Sequence, residues 1–361
     1  MTTVFKTRLT RLKLTNFRNY AALDLHIDPE TVVFAGQNGA GKTNLLEAIS
    51  FFSPGRGMRR AQYVDVARAS EKGGDGRWAV HGVVETATGP VDIGTGLWGN
   101  DGEPERSRRI RIDHDTAKSA DELQEHVRVL WLLPSMDGLF TGPASDRRRF
   151  TDRLVLAIDP THGTRVNAFE KAMRNRNRIL EEASANTSWL DAAENQVAEL
   201  GVAVAAARRE LLTRLVSEID AAPDGDGSFP RAALALEGSL DDLVANMAAT
   251  DAEDQYRMRL AENRFRDQRA GRTLEGPHLS DVVVHHEAKA MPARLSSTGE
   301  QKALLLGLVL AHARLVARLS GMTPLLLLDE VAAHLDEIRR AALFDTLEDL
   351  GCQAFMTGTD L

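Results

Sequence analysis

Residues 31–50 read TVVFAGQNGAGKTNLLEAIS, and the fold turns on what lies between the apolar run and the leucines. An apolar segment feeds straight into a glycine-rich turn, after which the pattern becomes helical from Lys42. Gly36, Gln37, Asn38, Gly39, Ala40, Gly41, Lys42 and Thr43 together match G-x-x-x-x-G-K-[ST]. Glycines at these places let successive backbone N–H groups face an anion, and the helix N-terminus adds its positive end. In that pattern Lys42 reaches the terminal phosphates of a nucleotide and Thr43 ligates Mg²⁺ through its hydroxyl. A strand before the loop and a helix after it is the context that gives the motif its meaning.

The complementary half lies far downstream, in TPLLLLDEVAAHLD at residues 323–336. Four leucines before Asp329 and Glu330 read as a buried strand ending in two carboxylates. Such a pair is also a common strand end; paired with a phosphate loop it reads as a metal ligand, Asp329, and a catalytic base, Glu330, that polarises water. Just upstream, LSSTGEQKALLLGLVLAHARL puts Ser297, Gly299, Glu300 and Gln301 ahead of a strongly apolar helix. Ser followed by Glu three residues later is an ordinary helix cap, and an exposed helix N-terminus with small residues is also a phosphate site.

The intervening chain explains the distance. RLKLTNFRNYAALDLHI reads as two alternating strands around a turn at Asn16 to Asn19, and residues 78–115 as an antiparallel sheet laid beside them. From about Arg147 the period becomes helical, with Val166, Phe169, Met173 and Leu180 on one face. Apolar residues at 190, 193, 197, 200, 204, 207 and 211 alternate steps of three and four, a seam too short for a long coiled coil and suited to a helical hairpin or bundle arm. AAPDGDGSFP breaks that run, and a further helical stretch from Leu240 to about Arg269 returns toward the body. The expected division is 1–150 and 275–361 as two parts of one α/β body, with 151–274 an inserted, mostly helical lobe.

Composition narrows the class. The 361 residues are 43% hydrophobic and 27% charged with a net charge of -8, ordinary for a folded globular chain and opposed to a uniformly basic one. Between Arg147 and Arg178, however, nine Arg or Lys face three acids, and Arg264, Arg266, Arg269 and Arg272 form a second cluster. Such stripes mark phosphate binding, or else a helix face of internal ion pairs. The single cysteine, Cys352, allows no intramolecular disulfide and reads as a small buried apolar side chain. The first twenty residues lack the apolar core of a signal peptide, and no uncharged run approaches the ~20 residues that span a bilayer, so a cytoplasmic protein without membrane partners is expected.

The order of phosphate loop, Ser-x-Gly-Glu segment and acidic strand resembles the ABC-type ATPases. That resemblance implies a P-loop ABC-type ATPase head, α/β with a mixed sheet and an antiparallel β subdomain, in which Ser297 and Gly299 touch the γ-phosphate of ATP held by a second molecule and Asp336 occupies the D-loop. A transporter subunit is disfavoured by the inserted lobe, and the reading moves to the SMC-like branch. LTNFRNYAALDL, FFSPGRGMRRA, FTGPASDRRRFTDRLV, FEKAMRNRNRILEE, RTLEGPHLSDVVV and STGEQKALLLGLVLAHA resemble, in order, the RecF family of bacterial recombination mediators. The resemblance implies cofactors ATP and Mg²⁺, an ATP-dependent homodimer with weak ATPase, duplex or gapped DNA bound without strong sequence preference, and partners RecR and RecO in loading RecA; with DNA as the phosphate partner, Arg174, Arg176 and Arg178 are the candidate DNA contacts. The alternatives are an SMC-like structural DNA clamp or a transporter ATPase. Two departures stand out. LWLLPSMDGLFTG occupies the place of a Ser-Pro-Glu-Asp-like stretch, and CQAFMTGTDL lacks the transporter switch histidine and ends where relatives continue with a helix, leaving Thr357 or Thr359 at that position.

Overall fold

The computed structural model describes residues 4–69, 76–98, 107–182, 187–221, 229–331 and 335–358. The chain forms two compact units, the first chiefly Met1–Asp137 with Leu305–Leu361, the second chiefly Gly138–Asp224 with Pro230–Leu304.

In the first unit, strands β1 (Arg8–Phe17), β2 (Tyr20–His26), β4 (Trp78–Thr86), β5 (Gly89–Leu97), β6 (Arg109–Ile112) and β7 (Asp115–Thr116) make a six-stranded antiparallel sheet in the order β2-β1-β4-β5-β6-β7. A second sheet is parallel, with β3 (Thr31–Ala35), β13 (Ala354–Gly358), β12 (Leu325–Leu328) and β8 (Val129–Leu132) side by side in that order. Leu325, Leu326, Leu327 and Leu328 are all fully buried, as a strand flanked on both sides in a parallel sheet must be. Helix α1 (Lys42–Ser50) packs on both sheets, and Leu46, Ile49 and Phe52 join Leu9, Leu12, Phe17, Trp78, Leu327 and Phe355 in one core.

Gln353 ties the end of the chain to its beginning. Its Oε1 accepts from the Leu9 amide at 2.7 Å, and its Nε2 donates to the carbonyls of Leu9 at 3.2 Å and Pro29 at 3.1 Å. The β1 register against β4 slips between Leu9 and Arg11, so this buried amide serves backbone groups beside an irregular ladder. Helix α9 (Glu337–Leu350) leads into β13 through Gly351 at φ 60°. Burial pushes the Cys352 thiol up to about 12, which suits a core residue and opposes a nucleophile.

The second unit is helical with a small sheet. Helices α2 (Ala144–Leu156), α3 (His162–Glu181), α4 (Thr187–Ala221), α5 (Ser239–Asn246), α6 (Ala249–Glu262) and α7 (Arg264–Ala270) accompany an antiparallel sheet of β11 (Met291–Pro292), β10 (Asp281–His286) and β9 (Ala232–Glu237). Its core joins Phe169 and Ala172 of α3, Val197, Val202 and Ala205 of α4, Leu240, and Tyr256 and Leu260 of α6. α3 packs along α4, in which Ala198, Gly201, Val202 and Ala205 are buried together with Leu190, Ala193, Val197, Val204 and Leu211 of the heptad seam, while Leu200 and Ala207 are half-buried. α4 is therefore covered over a wider face than a two-helix seam allows. Gly201 lets the helices close in, because a Cβ there would sit 2.9 Å from the Tyr256 ring.

This unit extends further than the expected lobe of 151–274. Its first helix already packs on β10, and the segment through Leu304 goes with it. Period alone does not show that a strand such as β10 pairs with β9 across helices α5 to α7. The helical stretch expected from Leu240 to Arg269 is likewise three helices rather than one. Helix α8 (Thr298–Ser320) is, among the described residues, the helix long and apolar enough to cross a membrane by composition, yet 72% of its most apolar window is buried inside the protein.

Candidate nucleotide site at the ends of the parallel strands

Four parallel strands bring their carboxyl ends to one edge, and ligands of α/β sheets bind there. β3 ends at the glycine-rich loop, β12 at Asp329, and β13, which lies between them, at Thr357 and Gly358. Residues from opposite ends of the sequence thus meet because the last strand is inserted between the third and the twelfth.

The loop has the backbone that its glycines permit. Gly39 and Gly41 sit at φ 84° and 101°, a region costly for any residue with a Cβ. At Gly41 a Cβ would also lie 2.3 Å from the Asn19 amide nitrogen. Lys42 is buried, and its Nζ donates to the carbonyls of Gly36 at 2.5 Å and Gln37 at 3.0 Å, so the ammonium lies folded against the loop it would serve.

The turn between β1 and β2 supports the loop from the side, a contact that the motif does not disclose. Asn19 donates through Nδ2 to the Ala40 carbonyl at 3.2 Å and accepts from Asn44 at 2.8 Å, while the Tyr20 hydroxyl donates to the Gly41 carbonyl at 3.3 Å. Arg18, at φ 50°, fixes that turn by a two-pronged pair with the fully buried Glu47 of α1 at 2.9 and 2.5 Å. Arg59 reaches the same carboxylate at 3.3 Å and Asn44 at 2.8 Å. The only signal in the sequence is Asn-Phe-Arg-Asn at a hairpin turn.

Opposite the loop, Thr43 Oγ1 donates to Asp329 Oδ1 at 3.0 Å. Thr357 Oγ1 donates to the same oxygen at 2.7 Å and accepts from the Glu330 amide at 2.8 Å. Glu330 has φ 56°, a left-handed backbone uncommon for a residue with a long side chain. No group of three or more His, Cys, Asp or Glu suited to a metal occurs among the described residues. The oxygens of Thr43 and Asp329 are hard donors that fit Mg²⁺, which is held by one or two side chains together with substrate phosphates.

At the start of α8, the Ser297 amide donates to Glu300 Oε2 at 3.0 Å and the Glu300 amide to Ser297 Oγ at 3.4 Å. This reciprocal cap is the ordinary structural role of the pair. Lys289 bonds the Glu300 carboxylate, and with the Ser297 bonds holds its pKa down to about 2. Ser297 and Gly299 remain exposed, and a Cβ at Gly299 would meet nothing within 4 Å. Asp336 caps α9, accepting from the Arg339 amide at 2.9 Å. Thr359 lies outside the described residues.

Residues 8–360 match the RecF/RecN/SMC N terminal domain family. The DNA replication and repair protein RecF of Mesorhizobium japonicum is 59% identical over 355 residues, covering 98% of this chain and 92% of the relative. The chain belongs to the RecF family. The RecF of Brucella abortus is 57% identical over 353 residues, with 98% of this chain and 90% of the relative covered. A solved structure of the recombination mediator protein RecF-ATPrS in the RecFOR pathway superposes with a TM-score of 0.87 at 24% identity, covering 100% of this chain and 95% of that one. An Smc head domain from Pyrococcus furiosus, with an extended coiled coil and bound to part of ScpA, gives 0.50 at 15% identity over 98% of this chain and 90% of its own. Both likenesses establish the fold, a P-loop ABC-type ATPase head.

The arginine stripe of this RecF-family chain is largely committed to its own acids. Arg147 pairs with Asp281 at 2.7 Å and Arg165 with Asp159 at 2.9 Å; Arg149 pairs with Asp146, and Arg148 donates to the Ser280 carbonyl at 2.7 Å. Arg176, read from the sequence as a DNA contact, is corrected. It is fully buried, bonding Glu194 at 3.0 Å, Asp267 at 2.8 Å, Thr273 at 2.9 Å and the Leu260 carbonyl at 2.7 Å. Charge counting misses this because Glu194 and Asp267 lie far along the chain. Arg174, 66% exposed and bonded to Glu170, and Arg178, bonded to Asn175, stay on the surface. In the second cluster Arg264 pairs with Asp191 and Glu194, while Arg269 lies 5.6 Å from the ring centre of Phe265, itself 69% exposed.

Proposed function

We propose that the chain is an ATP-dependent DNA-binding recombination mediator, cytoplasmic, whose weak ATPase times a dimer instead of transforming a metabolite. The observation that carries this reading is the 3.0 Å bond between Thr43 and Asp329, which joins the phosphate loop to the acidic strand. Lys42 swings from its loop carbonyls to the β- and γ-phosphates, where its ammonium is a counter-charge. The backbone amides of Gly39 to Thr43 and the N-terminus of α1 orient the phosphates. Thr43 and Asp329 hold Mg²⁺, which supplies further neutralisation of phosphate charge. Glu330 accepts a proton from the attacking water.

Ser297 and Gly299 of a second copy close the far side of the nucleotide, with Asp336 at the same junction. In a two-fold dimer each of two composite sites then joins one subunit's loop to the other's α8 terminus. ATP binding closes the pair, hydrolysis releases it, and exposed arginines such as Arg174 and Arg178 grip the DNA backbone. The relatives' names, DNA replication and repair protein RecF, and the nucleotide named with the solved structure support this reading. The finer proposal is that the closed dimer acts at duplex or gapped DNA with RecR and RecO to load RecA.

Duplex-DNA affinity measured with and without MgATP across a salt series tests the proposal. ATP is expected to strengthen binding, and log affinity to fall linearly with log salt with little dependence on base sequence. Affinity indifferent to nucleotide would contradict it. Strong sequence preference with a shallow salt slope would do the same.

A further inference from the structure

Three strand ends meet at the site, and the loop and the acidic pair account for two of them. The third is Thr357, in the strand inserted between the other two and 2% exposed. Its hydroxyl has a specific arrangement of partners. The proton goes to Asp329 Oδ1 at 2.7 Å, and the oxygen accepts the Glu330 amide at 2.8 Å. Thr43 donates to that same Asp329 oxygen at 3.0 Å, so the two hydroxyls fix one carboxylate oxygen from two directions.

Glu330 gives the second bond its importance. Its φ of 56° is a strained choice for this residue type and persists only where the surroundings impose it. The amide of that strained residue ends on Thr357 Oγ1, while the preceding amide, that of Asp329, donates to the Leu132 carbonyl of the neighbouring strand at 3.0 Å. The chain therefore turns out of the sheet between two anchors, and the second is a side-chain oxygen.

We infer that Thr357 is a positioning residue that couples the metal-holding carboxylate of Asp329 to the backbone of the base Glu330, so that one hydroxyl sets both. This rests on the nucleotide reading of the site. Thr357 acts through Asp329 and Glu330, to both of which its hydroxyl is bonded. Partners that orient a metal-holding carboxylate typically change metal affinity by about 10- to 100-fold when removed.

The test uses the full chain with Thr357→Val and Thr357→Ser. Valine keeps the shape and removes the hydroxyl; serine keeps the hydroxyl. Nucleotide affinity is measured by calorimetry with EDTA and then with Mg²⁺, and Mg²⁺ is titrated against a fixed ATP analogue. Thr357→Val is expected to bind nucleotide in EDTA as the parent does, to need at least about tenfold more Mg²⁺, and to lose hydrolysis. Thr357→Ser is expected to restore the parent Mg²⁺ titration. A parent-like Mg²⁺ titration in Thr357→Val would overturn the inference, as would equal losses with and without Mg²⁺ that serine does not restore. If the valine variant does not fold, Thr357→Cys takes its place, since a thiol keeps the volume and is a weak donor and acceptor. Lys42→Met separates the two levels. Unchanged ATP binding in that variant removes the nucleotide reading itself, whereas lost binding there with a parent-like Thr357→Val removes only the role of Thr357.

Discussion

Thr43 and Asp329 are 286 residues apart in sequence and 3.0 Å apart in space. The parallel sheet makes this possible by placing the last strand between the strand that feeds the loop and the strand that ends in the acids.

Gly41→Ala is expected to weaken nucleotide binding at least about tenfold, because strain of ~1–3 kcal/mol arises from φ alone. The added Cβ also has to displace Asn19, whose amide nitrogen lies 2.3 Å from its place. Calorimetric titration with ATP measures the loss. A parent-like affinity would show that this loop does not hold phosphate.

Arg176→Met is expected to destabilise the second unit by about 3–5 kcal/mol, the usual result of leaving buried carboxylates without their cation. Glu194 and Asp267 are both buried with it. Thermal unfolding followed by circular dichroism reads this out, and an unchanged midpoint would contradict the buried network.

Arg174→Glu with Arg178→Glu has the opposite profile. Stability and ATP binding are expected to hold, while the slope of log DNA affinity against log salt flattens by about one unit per lost phosphate contact. An unaltered slope would assign these arginines to a solvated face or a protein-binding surface.

Asp152 supplies a pH test. Burial pushes its carboxyl up, but hydrogen bonds from His162 and Arg208 outweigh burial and leave it below the usual value. A carboxylate depressed in the folded state stabilises fully above its unfolded value of ~3.9, and that contribution disappears as pH falls through the lower folded value. Asp152→Asn is therefore expected to lower stability at pH 7 and to flatten the loss below about pH 4. Urea unfolding between those limits checks it, and parallel acid limbs would refute the assignment.

Much of the site is legible in the sequence because its chemistry is local. The loop from Gly36 to Thr43 carries its glycines, its lysine and its helix start within eight residues, and Asp329 and Glu330 follow four leucines that declare a buried strand. What stays hidden depends on partners distant in the chain. Asn19 bracing Ala40 and Asn44, and Thr357 joining Asp329 to Glu330, are single polar residues with no periodic or compositional mark. The arginine stripe misleads for the same reason, since the acids that bury Arg176 arrive from α4 and α7. Ser297 serves the helix as a cap whether or not it faces a nucleotide, and the sequence alone does not separate the two roles.

The central claim is that ATP held by Gly36 to Thr43 of one chain is closed by the Ser297 segment of another. Light scattering of the purified chain with and without MgATP tests it most directly, using Glu330→Gln to keep the nucleotide from being consumed. Glu330→Gln is expected to double in mass with MgATP and to stay monomeric without it. Adding Lys42→Met, or Ser297→Arg, to that background should leave the mass at that of a monomer, while the Ser297→Arg chain still binds ATP. Doubling that persists with Lys42→Met, or that ignores Ser297→Arg, would contradict the account.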